Sequence, residues 1–503
     1  MPTIDSSLRS SAARVPERRA LVFADRTYSY RELDAQVDRV AGVLRDRGVR
    51  KGDRLALLAK NSDRFVITFY AAQRLGAIFV PVNPASAAPE VDYIVRDSGA
   101  SMLVMDPNFE TLVAGVLPES VSQLTLGPAE GLEDLLALAV DWRGDPVDTV
   151  VDEFDDCEIL YTSGTTGNPK GALFDHHRVI WIAMSTIGNC GFIEGERILH
   201  VAPLYHSAEL NLFIVAGTLL GATHVVHPGF DPAAVLETLE RERITAFFGV
   251  PTMYQFLLRQ PGIGERDLSS WRVATFGAAP MPPTAIEQLI ETLPSVRFIQ
   301  LCGQTEAGPG GIFSSHEQVR ARPDANGRQG GLYTECRIVD PDGNDTAPGD
   351  AGEMVLRSEM VMKEYWNKPE ATASTIIDGW LHTGDVCVVD EDGYITLVDR
   401  LKDMIITGGR NVYSIEVEQA AAGHPAIRDV AVLGRPHPDY GESIVAVVTL
   451  APDTGLELGE LRDFLGSRIA TYKLPHDLMI VEEIPRNPSG KILKRELRKN
   501  LVD

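Results

Sequence analysis

Residues 161–172 read YTSGTTGNPKGA, and the eleven positions after Tyr161 hold four hydroxyl side chains, three glycines and one lysine. Glycines leave backbone N–H groups bare, hydroxyls donate hydrogen bonds and Lys170 adds positive charge, a donor set suited to an oligophosphate anion. The segment is not the GxxxxGK[ST] loop, because Pro169 stands where the second glycine is needed. A Ser/Thr/Gly-rich surface turn is the other reading this composition leaves open. Two further stretches, RVATFGAAP (272–280) and VRFIQLCGQTE (296–306), run from apolar residues into glycine-rich turns. Open α/β sheets place ligands at such strand ends, so the two mouths are expected to converge on one site. Taken alone, Thr305-Glu306 reads as a helix cap, Asp385 as a turn residue after Gly384, and His206 as a core histidine.

The elements that must position these residues follow from periodicity. Over the first 150 residues a helical pattern in YRELDAQVDRVAGVLRDRG precedes apolar strands at RLALLAK and AIFVPVN. The alternation continues through ATHVVHPG, PAAVLETLERERI and TAFFGV, which predicts an α/β layered architecture with buried, mostly parallel strands. From about Gly331 the texture turns β-rich, with tight turns expected at Asp342-Gly343 and Asp392-Gly393. After residues 399–403 comes a segment of about 100 residues with its own strands and helices. The predicted fold class is therefore α/β. It comprises a large N-terminal part of α/β subdomains with a β-rich subdomain, and a small C-terminal α+β domain.

Composition narrows the function classes. At 503 residues the chain is long enough for roughly two to four domains, and 44% hydrophobic with 23% charged residues fits neither a disordered chain nor a fibrous repeat. The 47 basic and 71 acidic residues give a net charge of −24, which repels phosphate backbones and argues against a nucleic-acid partner. An anion site must then be built locally. Five scattered cysteines without a CxxC point to a reducing, cytoplasmic setting and away from a zinc site. No secretory signal is visible, and the longest apolar run, residues 212–222, is short of the ~20 residues of a membrane span.

The 161–172 segment resembles the phosphate-loop signature of the acyl-adenylate-forming superfamily, which includes acyl-CoA synthetases, aryl-CoA ligases, luciferases and adenylation domains. The resemblance continues in family order through PLYHSAE, FGAAPMP, GQTEAGP, EYWNKPEAT, GWLHTGD, DRLKDMIITGGRNVYSIEVE and PRNPSGKILKREL. It implies ATP, Mg²⁺ and coenzyme A as co-substrates and cofactor, and a carboxylic acid as substrate. Thr162, Ser163, Gly164, Thr165, Thr166, Gly167 and Lys170 would hold the β- and γ-phosphates, orienting pyrophosphate as leaving group for in-line attack at the α-phosphorus. Gly277, Ala278, Ala279, Cys302, Gly303 and Gln304 would line the adenine and acyl groups, small residues there letting the ligand approach bare backbone. Thr305 would contact the α-phosphate and Glu306 would ligate the metal. Asp385 would accept the ribose hydroxyls with Arg400 assisting, and Lys491 would neutralise charge in the adenylation transition state. Its neighbours Lys494, Arg495, Arg498 and Lys499 read as solvated charges. Arg400 to Lys402 resembles the family hinge, with Lys402 at the pivot. This gives a large domain over 1–399, a hinge over 400–402 and a small, mobile domain over 403–503. Gly408, Gly409 and Arg410 would line the CoA tunnel.

Three positions depart from the common family pattern. Cys302 stands where many members carry an aromatic that stacks on adenine, Arg410 replaces a common Glu, and Ser414 replaces a common Pro. Arg410 could serve CoA phosphates or pair with a surface Glu. His206 matches a position bordering the acyl site, and residues 207–217 with Phe247, Phe248 and Val250 are expected to wall an apolar pocket that includes Leu210, Gly277 and Gly303. No Lys or Arg lies in 207–217, so a dicarboxylate would leave a charge unpaired there and a hydrophobic acid is expected, fatty, aryl or bulky cyclic. Glu209 has no evident partner. The reading is an AMP-forming acid:CoA ligase, monomer or homodimer. A ligase loading a carrier-protein thiol and a silent acyl-adenylate-binding protein are the alternatives.

Overall fold

Strands that are apolar at every position must be covered on both faces, and this demand organises the large part of the molecule. The computed structural model describes residues 2–162, 168–486 and 492–499. An eight-stranded sheet runs Gly311–Ser314, Arg297–Gly303, Val273–Gly277, Ala246–Gly249, Arg197–His200, Thr223–Val226, Arg19–Phe23 and Arg26–Ser29, with the six inner strands parallel and both edge strands antiparallel. A seven-stranded sheet runs Glu364–Tyr365, Lys170–Asp175, Asp156–Thr162, Ile78–Val82, Arg54–Leu58, Met102–Met105 and Ser122–Thr125. Successive residues of one strand serve different layers: Leu55 and Leu57 enter the core shared by the two sheets, whereas Ala56 and Leu58 enter the core on the outer face. In the eight-stranded sheet Ile198 and Phe248 face the shared core, and Leu199 and Phe247 the outer one.

Between the sheets lies a π-helix over Ala208–Val215, buried on every side from Glu209 onward. Its second half, residues 212–215, begins the apolar run that is too short to span a membrane. Among the described residues no helix is long and apolar enough to do so.

The β-rich region forms an antiparallel sheet of Glu335–Val339, Ala351–Arg357, Trp380–Val389 and Ile376–Ile377, with Ile395–Arg400 paired to Trp380–Val389. The two Asp-Gly turns form as the sequence predicts. Gly343 and Gly393 adopt φ of +83° and +78°, and their N–H groups donate to Asp340 and Asp390.

The C-terminal residues build a separate sheet of Arg410–Val412, Ile405–Thr407, Gly441–Leu450 and Ile427–His437, with Asp477–Ile480 added in parallel. Helices Ser414–Ala422 and Leu458–Gly466 cover one face, where Val432, Ile444, Ala446 and Val448 are buried. Helix Lys494–Lys499 lies by the other, over Ala431, Leu433, Val445 and Val447. This mixed architecture, with a larger N-terminal and a smaller C-terminal part, is the predicted fold class.

Candidate active site

The donor-rich segment has an antiparallel strand pair at its two ends. Asp156–Thr162 and Lys170–Asp175 pair so that Thr162 faces Lys170 and Tyr161 faces Gly171. Thr162 Oγ1 donates to the Lys170 carbonyl at 3.4 Å. Ser163, Gly164, Thr165, Thr166 and Gly167 lie outside the described residues, as does Lys491. Lys170 extends its ammonium over the Tyr365 ring, 4.2 Å from the centroid.

The second mouth is the end of Arg297–Gly303. The chain leaves the sheet through Gln304 into a 3₁₀ turn over Thr305–Ala307, closed by Gly308 at φ +73°. Three contacts fix this turn. Thr305 Oγ1 lies 3.3 Å from Ser207 Oγ, the Tyr365 hydroxyl donates to Glu306 Oε1 at 2.7 Å, and Gln304 Nε2 donates to the Thr383 carbonyl at 3.3 Å. Burial and the Glu306 carboxylate both drive the Tyr365 phenol upward, so it remains a donor.

Thr383 belongs to the same strand as Asp385, which is 3% exposed. The register of this hairpin sets Asp385 directly opposite Arg400, and Arg400 Nε meets Asp385 Oδ1 at 2.9 Å. The Cys302 thiol is driven up to about 12 by burial, with the Asp385 carboxylate adding to the rise. Lys170, Glu306, Thr305, Gln304, Cys302, Asp385 and Arg400 are thus linked by contacts running from the seven-stranded sheet through the eight-stranded one to the β-rich region.

The glycines of these turns are also required by the packing of the backbone. A Cβ at Gly277 would strike the Leu301 carbonyl, and one at Gly303 the carbonyls of Pro309 and Gly310. Close approach of neighbouring backbone demands both glycines, whatever the ligand requires. Strain sits one residue on, where exposed Ala278 is held at φ +66° with Ala279 following.

The expected acyl wall divides between two faces. Leu210 is fully buried in the core shared by the two sheets, and Phe213 and Phe248 stack there with centroids 5.1 Å apart. Phe247 points to the opposite face, against Tyr254 and Trp271, as strand alternation requires, so Phe247 does not share a wall with Leu210. Val250 caps helix Pro251–Leu258. His206 donates its N–H to the Pro203 carbonyl and accepts at its own carbonyl from Leu210 N–H, which seats it at the start of the π-helix.

Glu209 does have a partner. Its Oε1 meets His200 Nδ1 at 2.5 Å, His200 Nε2 meets His224 Nδ1 at 2.9 Å, and His224 Nε2 meets Thr218 Oγ1 at 3.1 Å. Burial drives Glu209 up and His200 down, which favours the uncharged form of each. On the other side of the π-helix Asn211 Nδ2 donates to Glu158 Oε2 at 3.0 Å, and burial pushes Glu158 up to about 7. The sequence offered no signal for this pair, because an acidic residue inside an apolar strand reads as an exception to the pattern.

In the C-terminal part, Gly408 and Gly409, at φ +56° and +73°, form the two-residue turn that pairs Thr407 with Arg410. Arg410 lies over the Tyr472 ring at 5.0 Å and makes no ion pair among the described residues. Lys402 sits in the exposed turn that follows Arg400. Two of the basic residues expected to be solvated are instead engaged. Lys494 donates to Ser414 Oγ at 2.6 Å and pairs with Glu418 at 2.7 Å, and Arg498 pairs with Asp403 at 2.8 Å. Ser414 in turn donates both its N–H and its hydroxyl to buried Asp399, the residue before Arg400. Arg495 and Lys499 are the exposed pair.

The family described as AMP-binding enzyme matches residues 8–366, and that described as AMP-binding enzyme C-terminal domain matches residues 416–491. Feruloyl-CoA synthase of an Amycolatopsis species is 38% identical over 484 residues, covering 96% of each chain. Long-chain-fatty-acid–CoA ligase FadD13 of Mycobacterium tuberculosis is 34% identical over 500 residues, 99% of this chain and 98% of its own. Among solved structures, the anthranilate CoA ligase AuaEII in complex with anthranoyl-AMP superposes with a TM-score of 0.90 at 28% identity, over 99% of this chain and 97% of that one.

Proposed function

We propose, for a chain that belongs to the AMP-binding enzyme family and is an ATP-dependent acyl-CoA ligase of it, that the acid it activates is hydrophobic, aryl or fatty. The nucleotide part of this reading is carried by the contact path Lys170–Tyr365–Glu306, continued by Thr305, Gln304 and the Asp385–Arg400 pair. These are the groups an acid, a triphosphate and a ribose require at one place.

The chemistry follows in two steps. A carboxylate oxygen of the acid attacks the α-phosphorus of ATP, a P–O bond to the β-phosphate breaks and pyrophosphate departs. The thiolate sulfur of CoA then attacks the acyl carbonyl carbon, the C–O bond to phosphate breaks and AMP departs. Lys170 and the 161–172 donors hold the polyphosphate, Asp385 accepts the ribose hydroxyls, and Arg400 fixes the Asp385 carboxylate. Lys491 balances charge at the α-phosphorus. Glu306 offers a hard carboxylate oxygen to Mg²⁺, with Oε1 tied to Tyr365 and Oε2 without a hydrogen bond among the described residues. That donor fits the ion. Among the described residues no group of three His, Cys, Asp or Glu side chains gathers as metal ligands, so phosphate and water would complete its shell. When bound, Mg²⁺ supplies neutralisation of the phosphate charge.

Support for a hydrophobic acid comes from buried Leu210, Phe213 and Phe248, and from relatives named for feruloyl and long-chain fatty acyl groups. Pyrophosphate release should be measured across aryl, fatty and dicarboxylic acids, with products identified by mass spectrometry in the presence of CoA. Aryl or fatty acids should exceed dicarboxylic acids at least 10-fold, because a second buried charge costs several kcal/mol. Lys491→Ala should lose most of the exchange between ATP and pyrophosphate while keeping its fold. A dicarboxylic acid as best substrate, or a carrier-protein thioester formed in place of acyl-CoA, overturns the reading.

A further inference from the structure

Residues 362–366 bridge two elements that would otherwise be independent. Met362 N–H donates to the Glu306 carbonyl at 2.9 Å, while Lys363 N–H and Trp366 N–H donate to the Leu173 and Gly171 carbonyls at 2.8 and 2.7 Å. The strand Glu364–Tyr365 is thereby sewn in antiparallel register onto Lys170–Asp175, with Tyr365 opposite Ala172. One edge of this bridge belongs to the strand that begins with Lys170. The other reaches the 3₁₀ turn that carries Glu306.

Tyr365 is 4% exposed and uses different parts of its side chain on the two neighbours. Its hydroxyl donates to Glu306 Oε1 at 2.7 Å, and its ring face receives the Lys170 ammonium at 4.2 Å. A carboxylate that accepts one fixed hydrogen bond is held in one rotamer, which orients its second oxygen, and such outer partners of a metal-ligating carboxylate are worth about 10- to 100-fold in metal affinity. A ring face attracts and localises an ammonium that would otherwise sample several rotamers.

We infer that Tyr365 is a positioning residue that sets the metal-holding carboxylate of Glu306 and the phosphate-holding ammonium of Lys170 at a fixed separation, its hydroxyl serving the first and its ring the second. This rests on the ligase reading of the site above. Among the described residues no other side chain makes a hydrogen bond, ion pair or ring contact with both.

The division of labour makes two variants informative. Tyr365→Phe keeps the ring and removes the hydroxyl, whereas Tyr365→Leu removes both. Mn²⁺ binding in the presence of ATP, read by electron paramagnetic resonance, reports on Glu306. ATP binding in EDTA, read by equilibrium dialysis, reports on Lys170 without the metal. Tyr365→Phe should weaken Mn²⁺ binding about 10- to 100-fold and leave metal-free ATP binding within about twofold. Tyr365→Leu should show the same Mn²⁺ loss and lower metal-free ATP affinity about fivefold as well. Thermal melting checks that each variant folds, and the conservative Tyr365→Phe is decisive if the Leu variant does not. Unchanged Mn²⁺ affinity in Tyr365→Phe overturns the inference, and so does equal metal-free ATP binding by a folded Tyr365→Leu. If the wild-type protein itself binds neither ATP nor Mn²⁺, the ligase reading is what has failed.

Discussion

A carboxyl group sealed in a protein core is cheaper neutral than charged, and Glu158 is such a group, with one oxygen bonded to Asn211 and the other, Oε1, unpaired among the described residues. Burial raises its pKa from 4.5 to about 7, the Asn211 donor pulling weakly the other way. Because the folded value lies above the unfolded one, the folded state holds the proton longer. The stability this contributes is fully present below about pH 4.5 and is lost as pH rises through about 7. At about 1.4 kcal/mol per unit the loss is on the order of 3 kcal/mol. Glu158→Gln keeps an acceptor for Asn211 and has no proton to lose, so denaturant midpoints of this variant should decline less than those of wild type between pH 5 and 8. Parallel curves would show that Glu158 does not titrate there. At the same scale, the residues that the sequence left obscure, Glu209 and Tyr365, are those whose partners come from other elements, His200 for one and Glu306 with Lys170 for the other.

Ser414 is the first residue of helix Ser414–Ala422, a position where proline is well tolerated because the N–H there has no partner within the helix. Here that N–H is used, by the buried carboxylate of Asp399, and the Ser414 hydroxyl bonds the same group. The departure from the common proline thus ties the C-terminal part to the strand Ile395–Arg400, immediately before the exposed turn with Lys402. Ser414→Pro should preserve the helix and leave Asp399 without two donors, at a cost of about 1 to 3 kcal/mol. Circular dichroism should show unchanged helix content, and thermal unfolding a lowered midpoint. A variant as stable as wild type would mean the two bonds contribute nothing net. The elements themselves were largely legible. Asp342-Gly343 and Asp392-Gly393 turn where predicted, and Gly408-Gly409 supplies the positive φ of a tight hairpin. The π-helical form of Ala208–Val215 was not legible, since a segment that is buried all round has no exposed face to give a period.

At the scale of the molecule, residues 401–404 link the strand Ile395–Arg400 of the β-rich sheet to the strand Ile405–Thr407 of the C-terminal sheet, and Leu401 is 47% exposed. Contacts between the parts run through the Asp399–Ser414 bonds, with helix Ser414–Ala422 against strand Ile395–Arg400. If the small part takes two orientations during the reaction, this turn must change conformation between them. Trypsin should cut after Lys402, and the cutting rate should change several-fold when a non-reactive acyl-adenylate analogue and CoA are added together. A rate that is identical with and without saturating ligands would argue against any such movement.

What the sequence by itself determined is what depends on local order. The alternation of apolar runs and turns set the α/β layers and the β-rich region, and the ordered motifs identified the family. Tertiary structure alone decided which strands share a sheet and which side chains meet. Arg19–Phe23 and Arg26–Ser29 join the sheet built mostly from residues 197–314, although the strands over 54–175 that follow them in sequence belong to the other sheet. Phe247 and Phe248 are neighbours in the chain, yet a strand sends them to opposite layers. Lys494 and Arg498 read as solvated charges until the fold sets Glu418 and Asp403 beside them. Periodicity is a property of one segment, whereas a hydrogen bond or an ion pair needs two, and only the fold brings the second within reach.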